Sequence, residues 1–158
     1  MNYEFKEATI SDSNKGLLEL YIDGYNFHQI NRPDIFKEKT DQELKDDLIN
    51  SIKQNNQTFL LLMINNTIIG YLSYRIKERN SINNIWIDEL VIDKKYRHQG
   101  YGKLLFNKLK SIGIKQNCQH IELNCWSFNA DALLFYNKLQ FNNQRVILEY
   151  DLSENNIK

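Results

Sequence analysis

The sequence has only two cysteines, Cys118 and Cys125, and neither lies in a C-x-x-C pair or in a Cys/His cluster with metal-ligand spacing. This argues against a disulfide framework and against a metal site. The longest uninterrupted apolar run, Phe59 to Ile64, is far too short to span a membrane. The N-terminal residues also lack the apolar stretch of a signal peptide, so we expect a cytoplasmic protein with no membrane partner.

Neither sign of charge predominates, because 20 lysines and arginines balance 20 aspartates and glutamates. A nucleic-acid-binding domain is usually strongly basic, so we expect no nucleic-acid partner. A length of 158 residues and a hydrophobic content of 42% indicate one folded domain with one core. We therefore expect a single domain over residues 1–158, with a loose tail from about residue 152.

Hydrophobic periodicity predicts alternating strands and helices. The predicted strands are 3–8, 58–64, 68–75, 85–92, 120–126 and 146–150. The predicted helices are one capped by Ser11 or Asp12 that ends before Pro33, one capped by Thr40 or Asp41, one at about 101–116 and one at 129–139. Asn65-Asn66-Thr67 is typical of a hairpin turn, and Gly70 within a strand indicates a bulge or a close backbone approach.

Two glycines, Gly100 and Gly102, separate the strand at 85–92 from an amphipathic helix. Without side chains, they let an anion approach the main chain, where the first N–H groups of the helix have no intrahelical partner and the helix dipole favours negative charge. The pattern is neither of the common nucleotide motifs. The dinucleotide fingerprint needs a third glycine where this chain has Leu105, and the P-loop needs four residues between its glycines.

Three separated segments together resemble the GNAT superfamily of acetyl-CoA-dependent N-acetyltransferases. They are the strand 87–92, the turn 97–102, which fits Q/R-x-x-G-x-G/A, and the stretch 129–141. The last matches N-x-x-A-x-x-F-Y-x-K-x-G-F except at Gln140, where the family usually has glycine. The resemblance implies a mixed α/β (α+β) fold with a central sheet of six to seven strands and about four flanking helices. It also implies acetyl-CoA as cofactor, with coenzyme A as product.

The resemblance further implies coenzyme-binding roles for particular positions. The strand segment whose backbone pairs with the pantetheine arm corresponds to Leu90, Val91 and Ile92. The pyrophosphate-binding loop corresponds to Arg97, His98, Gln99, Gly100, Tyr101, Gly102 and Lys103. Two positions near the coenzyme, on or just before the last helix, correspond to Asn129 and Tyr136.

An amine such as that of lysine has a pKa of about 10.4, so very little of it is neutral and able to attack a thioester at neutral pH. Glu89, just before the coenzyme-binding segment, is the predicted general base, acting directly or through water. Strand alternation predicts that its neighbour Asp88 points to the opposite face. Tyr136 is the predicted acid that protonates the leaving thiolate. An acetyl-cysteine intermediate on Cys125 is disfavoured because no activating base accompanies it in the sequence.

The acceptor is a small cationic amine or a protein or peptide amine, and the acidic residues at 88 and 89 favour the cationic class. The predicted wall of the acceptor site consists of Tyr25, His28, Phe36 and Trp126, together with Asp88. A non-catalytic coenzyme A-binding module is the alternative reading. An exposed terminal strand could pair two copies into a homodimer.

Overall fold

The computed structural model describes residues 2–14, 16–54 and 57–152, which form two compact units divided after Asn124. Five strands are described: β1 Tyr3–Glu7, β2 Thr58–Ile64, β3 Thr67–Arg79, β4 Ile82–Ile92 and β5 His120–Leu123. Four α-helices are described: α1 Leu17–Asn31, α2 Asp41–Lys53, α3 Tyr101–Lys115 and α4 Ala130–Lys138. Only α4 belongs to the second unit.

The sheet of the first unit has strand order β1-β2-β3-β4-β5, with every pair antiparallel except the parallel pair β4 and β5. Apolar side chains on one face, including Leu72 and Ile85, pack with Leu105 and Leu109 of α3. Those on the other face, including Leu61, pack with residues of α1 and α2. The predicted mixed α/β fold with about four helices is confirmed.

Local signals in the sequence explain several boundaries. Asn65 and Asn66 both have positive φ, 48° and 62°, as a two-residue type I′ hairpin requires. Thr40 accepts from the amide of Glu43 while the Glu43 carboxylate accepts from the amide of Thr40, so α2 begins with the predicted cap as a full capping box. Helix α1 ends at Asn31, two residues before Pro33, as predicted.

The cap predicted for α1 is wrong. Asp12 is buried in a separate 3₁₀ turn, where its carboxylate accepts from Lys6 Nζ at 2.6 Å and from the Thr9 amide at 2.8 Å. Helix α1 instead begins at Leu17, after Gly16 at a φ of 84°. Asp12 thus satisfies donors from its own turn and from β1 rather than those of the helix.

Two β-bulges shape the centre of the sheet. One places an extra residue, Ile69, in β3 next to Gly70, and a Cβ on Gly70 would lie 2.8 Å from the backbone oxygen of Val91, so the bulge and the close backbone approach predicted for this glycine are both present. The other lies in β4: Ser73 pairs with Glu89 and Tyr74 pairs with Ile87, which leaves Asp88 as the extra residue. A bulge breaks the alternation of side chains, so residues on either side of Asp88 do not follow the simple strand pattern.

The sheet has five strands among the described residues, not the six to seven predicted. The stretch 146–150 is not a strand, and its apolar side chains are largely exposed, with Leu148 at 90%. Alternation and β propensity mark a segment that could extend, but a strand also needs a neighbour to pair with, and here no described strand pairs with it. The strand predicted at 120–126 ends at Leu123. The homodimer was expected from pairing of an exposed terminal strand, and the stretch 146–150 does not supply such a strand.

The turn after α4 forms although Gln140 replaces the usual glycine. Gln140 has a φ of 66°, its amide donates to Asn137 O at 2.9 Å, and the amide of Phe141 donates to Tyr136 O at 3.0 Å. These two bonds define a Schellman motif, with glutamine in the left-handed position.

The tail expected from about residue 152 lies, beyond Leu152, outside the described residues. None of the described helices combines the length and apolarity needed to cross a bilayer.

Candidate active site

The edge of β4 that faces β5 is only half covered. The parallel ladder joins Asn84–Ile87 to His120–Leu123, and β4 continues to Ile92 with no further partner in β5. The carbonyl of Ile92 accepts from Arg97 Nε at 2.9 Å, while the next amide, that of Asp93, donates to Ile69 O on the β3 side. Since successive strand residues direct their backbone groups to alternate edges, the backbone of Leu90 faces the same open edge as that of Ile92.

A tight turn connects this edge to α3. The Asp93 carboxylate accepts from the amide of Lys95 at 2.8 Å and caps a 3₁₀ turn over Lys94–Tyr96. The Gln99 side chain then donates to Lys95 O at 3.0 Å. Gly100 is the N-cap of α3 at a φ of 88°, and the first helical bond runs from Leu104 N to Gly100 O.

The start of α3 has the properties of an anion site. A glycine N-cap offers no side-chain acceptor to the amides of the first turn, and a Cβ at Gly100 would meet no atom within 4 Å. The side chains of Arg97, His98 and Lys103 are exposed around this turn. Amides without intrahelical acceptors, the positive end of the helix dipole and flanking cations are the features that bind phosphate.

Glu89 is a partly buried carboxylate in the middle of the sheet. Its Oε2 accepts a 2.6 Å hydrogen bond from the hydroxyl of Tyr71, which is fully buried. Burial raises the pKa of Glu89 to about 7; the Tyr71 hydrogen bond partly opposes this, and the charge of Asp88 adds to it. A carboxyl group that is about half ionised near neutral pH can both take up and give back a proton during turnover.

Asp88 does not point to the opposite face from Glu89, so that expectation is wrong. Asp88 binds Arg75, whose Nε donates to Oδ2 at 2.9 Å, and Glu89 binds Tyr71. Tyr71 and Arg75 are four residues apart on β3 and so share a face, and the bulge at Asp88 brings both carboxylates to it. Because Arg75 compensates Asp88, the two acidic residues favour a cationic acceptor less than their sequence suggests.

One stripe of α1 lies over this pair. A Cβ on Gly24 would lie 3.4 Å from Val91 Cγ2 and 4.0 Å from the Tyr71 hydroxyl oxygen. Burial raises the pKa of Tyr21, and the charge of Glu89 contributes to the rise. Tyr21, Gly24, Tyr25 and His28 are spaced i, i+3, i+4 and i+7, so they lie on one helix face.

Three of the predicted acceptor-site residues form an aromatic cluster at the far end of this stripe. The rings of His28 and Phe36 stack with centroids 5.2 Å apart, and Tyr25 meets Phe36 edge-on at 6.1 Å. Burial lowers the pKa of His28 and favours its neutral form. Tyr25 also has a structural role, because its hydroxyl donates to Lys37 O at 2.8 Å and the Lys39 ammonium lies 5.4 Å from its ring centroid.

The remaining predicted residues lie in the second unit. Burial raises the pKa of Tyr136, with a smaller contribution from the nearby thiol of Cys125, so its hydroxyl keeps its proton at neutral pH. Burial also raises the pKa of Cys125, which opposes thiolate formation. Asn129 is the N-cap of α4, its Oδ1 accepting from Ala132 N at 3.2 Å. Trp126 stacks on Phe128 with ring centroids 5.8 Å apart.

Sequence reasoning did not identify the residues that influence the ionisation of the Asp88 and Glu89 carboxylates or that lie close to them. Tyr71, Tyr21 and Arg75 drew no attention because each fits an ordinary strand or helix pattern. Tyr71 and Arg75 reach β4 through the β3–β4 register, which depends on the bulge at Asp88. The sequence did offer one signal. Tyr71 and Arg75 are four residues apart on a predicted strand, so both side chains lie on the same face of the sheet.

Comparison with known proteins connects these features to a family. Residues 15–141 match the model of the Acetyltransferase (GNAT) family. A relative named as an uncharacterized N-acetyltransferase in the pepI 3′ region of Lactobacillus delbrueckii subsp. lactis is 29% identical over 105 residues, which are 64% of this chain and 60% of the relative. The match therefore spans less than two thirds of that relative's length.

Solved structures share the fold. A mutant of the BH1408 protein from Bacillus halodurans has a TM-score of 0.84 at 23% identity, over 94% of this chain and 99% of that one. An aminoglycoside acetyltransferase from an uncultured soil metagenomic sample, solved with sisomicin, has a TM-score of 0.67 at 18% identity, over 95% and 96% of the two chains. At such identities these structures show the fold alone. The family model, however, covers most of the chain, and the protein belongs to the GNAT acetyltransferase family.

Proposed function

We propose that the protein transfers the acetyl group of acetyl-CoA to a primary amine by direct attack in a ternary complex. The observation that carries this proposal is Glu89, a partly buried carboxyl with a pKa of about 7 directly before the open segment of β4. A group of this basicity suits the removal of a proton from an ammonium ion at neutral pH.

Acetyl-CoA binds along the open edge of β4 and at the start of α3. In the segment Leu90–Ile92, the backbone groups of Leu90 and Ile92 face the open edge and pair with the amides of the pantetheine arm, as an added strand would, while the backbone of Val91 between them faces β3. The diphosphate lies at the first turn of α3, where the loop 97–103 supplies main-chain amides and cationic side chains. Asn129 contributes a coenzyme contact through its amide nitrogen, since its Oδ1 caps α4.

Glu89 takes a proton from the acceptor ammonium, directly or through a water molecule. The neutral nitrogen attacks the acetyl carbonyl carbon, the carbon–sulfur bond breaks, and coenzyme A leaves as a thiolate. The new amide nitrogen gives its second proton to water, and Glu89 later releases the proton that it took up to solvent. Tyr136 gives its phenolic proton to that thiolate and regains one from solvent. Burial keeps this hydroxyl protonated at neutral pH, while the same rise in pKa makes it a weaker acid towards the thiolate.

The acceptor lies along the stripe of α1 that runs from Tyr21 to His28. Gly24 and His28 are separated by about 6 Å of helix, so an amine at Glu89 places its substituent at the aromatic cluster. Aromatic faces and a neutral His28 suit an apolar or cationic group. Both acceptor classes, a small cationic amine and a peptide amine, fit this description, and Trp126 is a further candidate for the wall.

A thiol-release assay with acetyl-CoA and a panel of amines tests the reaction. Glu89→Gln should lower turnover by about 10²- to 10⁴-fold, the usual contribution of a general base. Asp88→Asn is the matched control, because it removes a neighbouring carboxylate already paired with Arg75, and it should change turnover by less than about tenfold. Equal losses in the two variants, or full activity in Glu89→Gln, would remove Glu89 from the mechanism.

Calorimetric titration with acetyl-CoA tests the coenzyme site separately. Lys103→Gln should weaken binding by about 1 kcal/mol, roughly fivefold in Kd, if its ammonium lies about 4 Å from a phosphate. Lys110→Gln removes the same charge from an exposed site two turns further along α3 and should leave Kd unchanged. Tight binding without turnover on any amine would support the coenzyme A-binding module instead, and no heat on titration would refute both readings.

A further inference from the structure

Tyr71 holds its hydroxyl group in a fixed place at the centre of the first unit. The residue has no exposed surface, and its ring lies 5.7 Å from that of Phe59 within the core under α1 and α2. The hydroxyl donates to Glu89 Oε2 at 2.6 Å. A short bond from a donor that cannot move restricts the carboxylate to few orientations.

The backbone and the helix above the pair restrict Glu89 as well. The residue follows the bulge at Asp88, and a bulge re-aims the side chains beside it. Gly24 of α1 lies against this pair, because a Cβ on it would be in van der Waals contact with the Tyr71 hydroxyl oxygen at 4.0 Å. Of the two carboxylate oxygens, Oε2 is taken by Tyr71, so Oε1 is the one that can meet a substrate.

We propose that Tyr71 is a positioning residue, whose hydroxyl holds the Glu89 carboxylate in the orientation from which Oε1 takes the proton of the acceptor amine. The inference rests on the proposed function, because it needs Glu89 to be the base. Tyr71 touches neither substrate nor coenzyme in this scheme and acts only through Glu89.

The groups that face Glu89 give the direction of the expected effect. They are Tyr71 on β3, Asp88 on β4 and Tyr21 on α1. Asp88 is paired with Arg75, and the charge of Asp47 on α2 also contributes to the raised pKa of Tyr21. Burial and the charge of Glu89 raise the pKa of Tyr71 well above its ordinary value, so Tyr71 remains a donor wherever the enzyme is assayed. A hydrogen bond to the charged form favours that form, and its loss therefore raises the pKa of Glu89.

The test is the pH dependence of kcat/KM in Tyr71→Phe, which keeps the ring and removes the hydroxyl. The acidic limb should move up by about one pH unit, which lowers kcat/KM roughly fivefold near pH 7 and much less near pH 9. The KM for acetyl-CoA should not change. Tyr74→Phe is the matched control: it removes a hydroxyl from a buried tyrosine on the same strand that packs in the opposite core, and its profile should equal that of the wild type.

A second replacement preserves the fold and reverses the effect. Site-specific 3-fluorotyrosine in place of Tyr71 is a stronger donor, so the acidic limb should move to lower pH. An unchanged profile in both Tyr71 replacements, a loss equal at every pH, or the same change in Tyr74→Phe would overturn the positioning role. If Glu89→Gln itself keeps full activity, the proposed base fails first, and this outcome separates the two failures.

Discussion

Replacing Glu89 by glutamine should stabilise the ligand-free protein, and more so as the pH rises. A carboxyl group whose folded-state pKa is raised holds its proton in the folded state at a pH where the unfolded chain has already lost it. The folded state therefore loses relative stability as the pH rises from the unfolded value towards the folded value, and the full penalty persists above both. Glutamine keeps an oxygen that can accept from Tyr71 and carries no charge to bury.

The size of the effect follows from the pKa of Glu89. It rises from an ordinary 4.5 to about 7. At about 1.4 kcal/mol per pH unit, the ionised carboxylate costs about 3 kcal/mol at pH 8 and less than about 1 kcal/mol at pH 5. The unfolding free energies of the variant and the wild type should therefore diverge by about 2 kcal/mol over this interval, or roughly 4–8 °C in Tm for a chain of this length.

Urea unfolding of both proteins at several pH values between 5 and 8, without coenzyme, measures this divergence. Glu78→Gln is the control, because it removes the same charge from an exposed position on β3 and should show no divergence. A constant difference across the pH range, or a variant less stable than the wild type at pH 8, would show that Glu89 does not bear the cost of burial assigned to it.

Three other predictions concern the second unit and the start of α3. Tyr136→Phe should lower turnover with little change in coenzyme affinity, and equal steady-state rates would remove Tyr136 from the mechanism. Gln140→Gly should raise the unfolding free energy by about 1 kcal/mol, because glutamine occupies the left-handed region at a φ of 66°. The control Gln116→Gly, at a helix end with negative φ, should give no such gain in urea unfolding. Gly100→Ala should cost about 1–2 kcal/mol, since its φ is 88° and a Cβ would meet no neighbour, so unchanged urea stability would contradict a purely conformational cost.

The parts of the fold that sequence predicts well are those with local causes. Two consecutive asparagines specify the turn at 65–66, Thr40 with Glu43 specifies the start of α2, and Pro33 limits the end of α1. Each signal acts within a few residues, so no knowledge of the tertiary structure is needed to read it. The stretch 146–150 has strand-like composition too, but pairing with another strand is a long-range event that composition does not encode.

The candidate site shows the same division. Glu89, the strand after it and the glycine turn are contiguous in sequence, and their motif can be recognised directly. The partners of the carboxylates come from β3, and they depend on a bulge that offsets the β3–β4 register by one residue. Sequence alternation alone therefore assigned Asp88 to the wrong face and left Tyr71 unnoticed.

The bulge at Asp88 creates an electrostatic problem that Arg75 relieves. Bringing Asp88 and Glu89 to one face places two carboxylates side by side, and the charge of Asp88 raises the pKa of Glu89 beyond the effect of burial. The guanidinium of Arg75 binds Asp88 through both Nε and Nη2, so a positive charge is paired with this carboxylate. Tyr71 acts in the same sense from the other side by stabilising the ionised form of Glu89. Burial thus makes Glu89 a stronger base than an exposed glutamate, while the hydrogen bond from Tyr71 favours its ionised form.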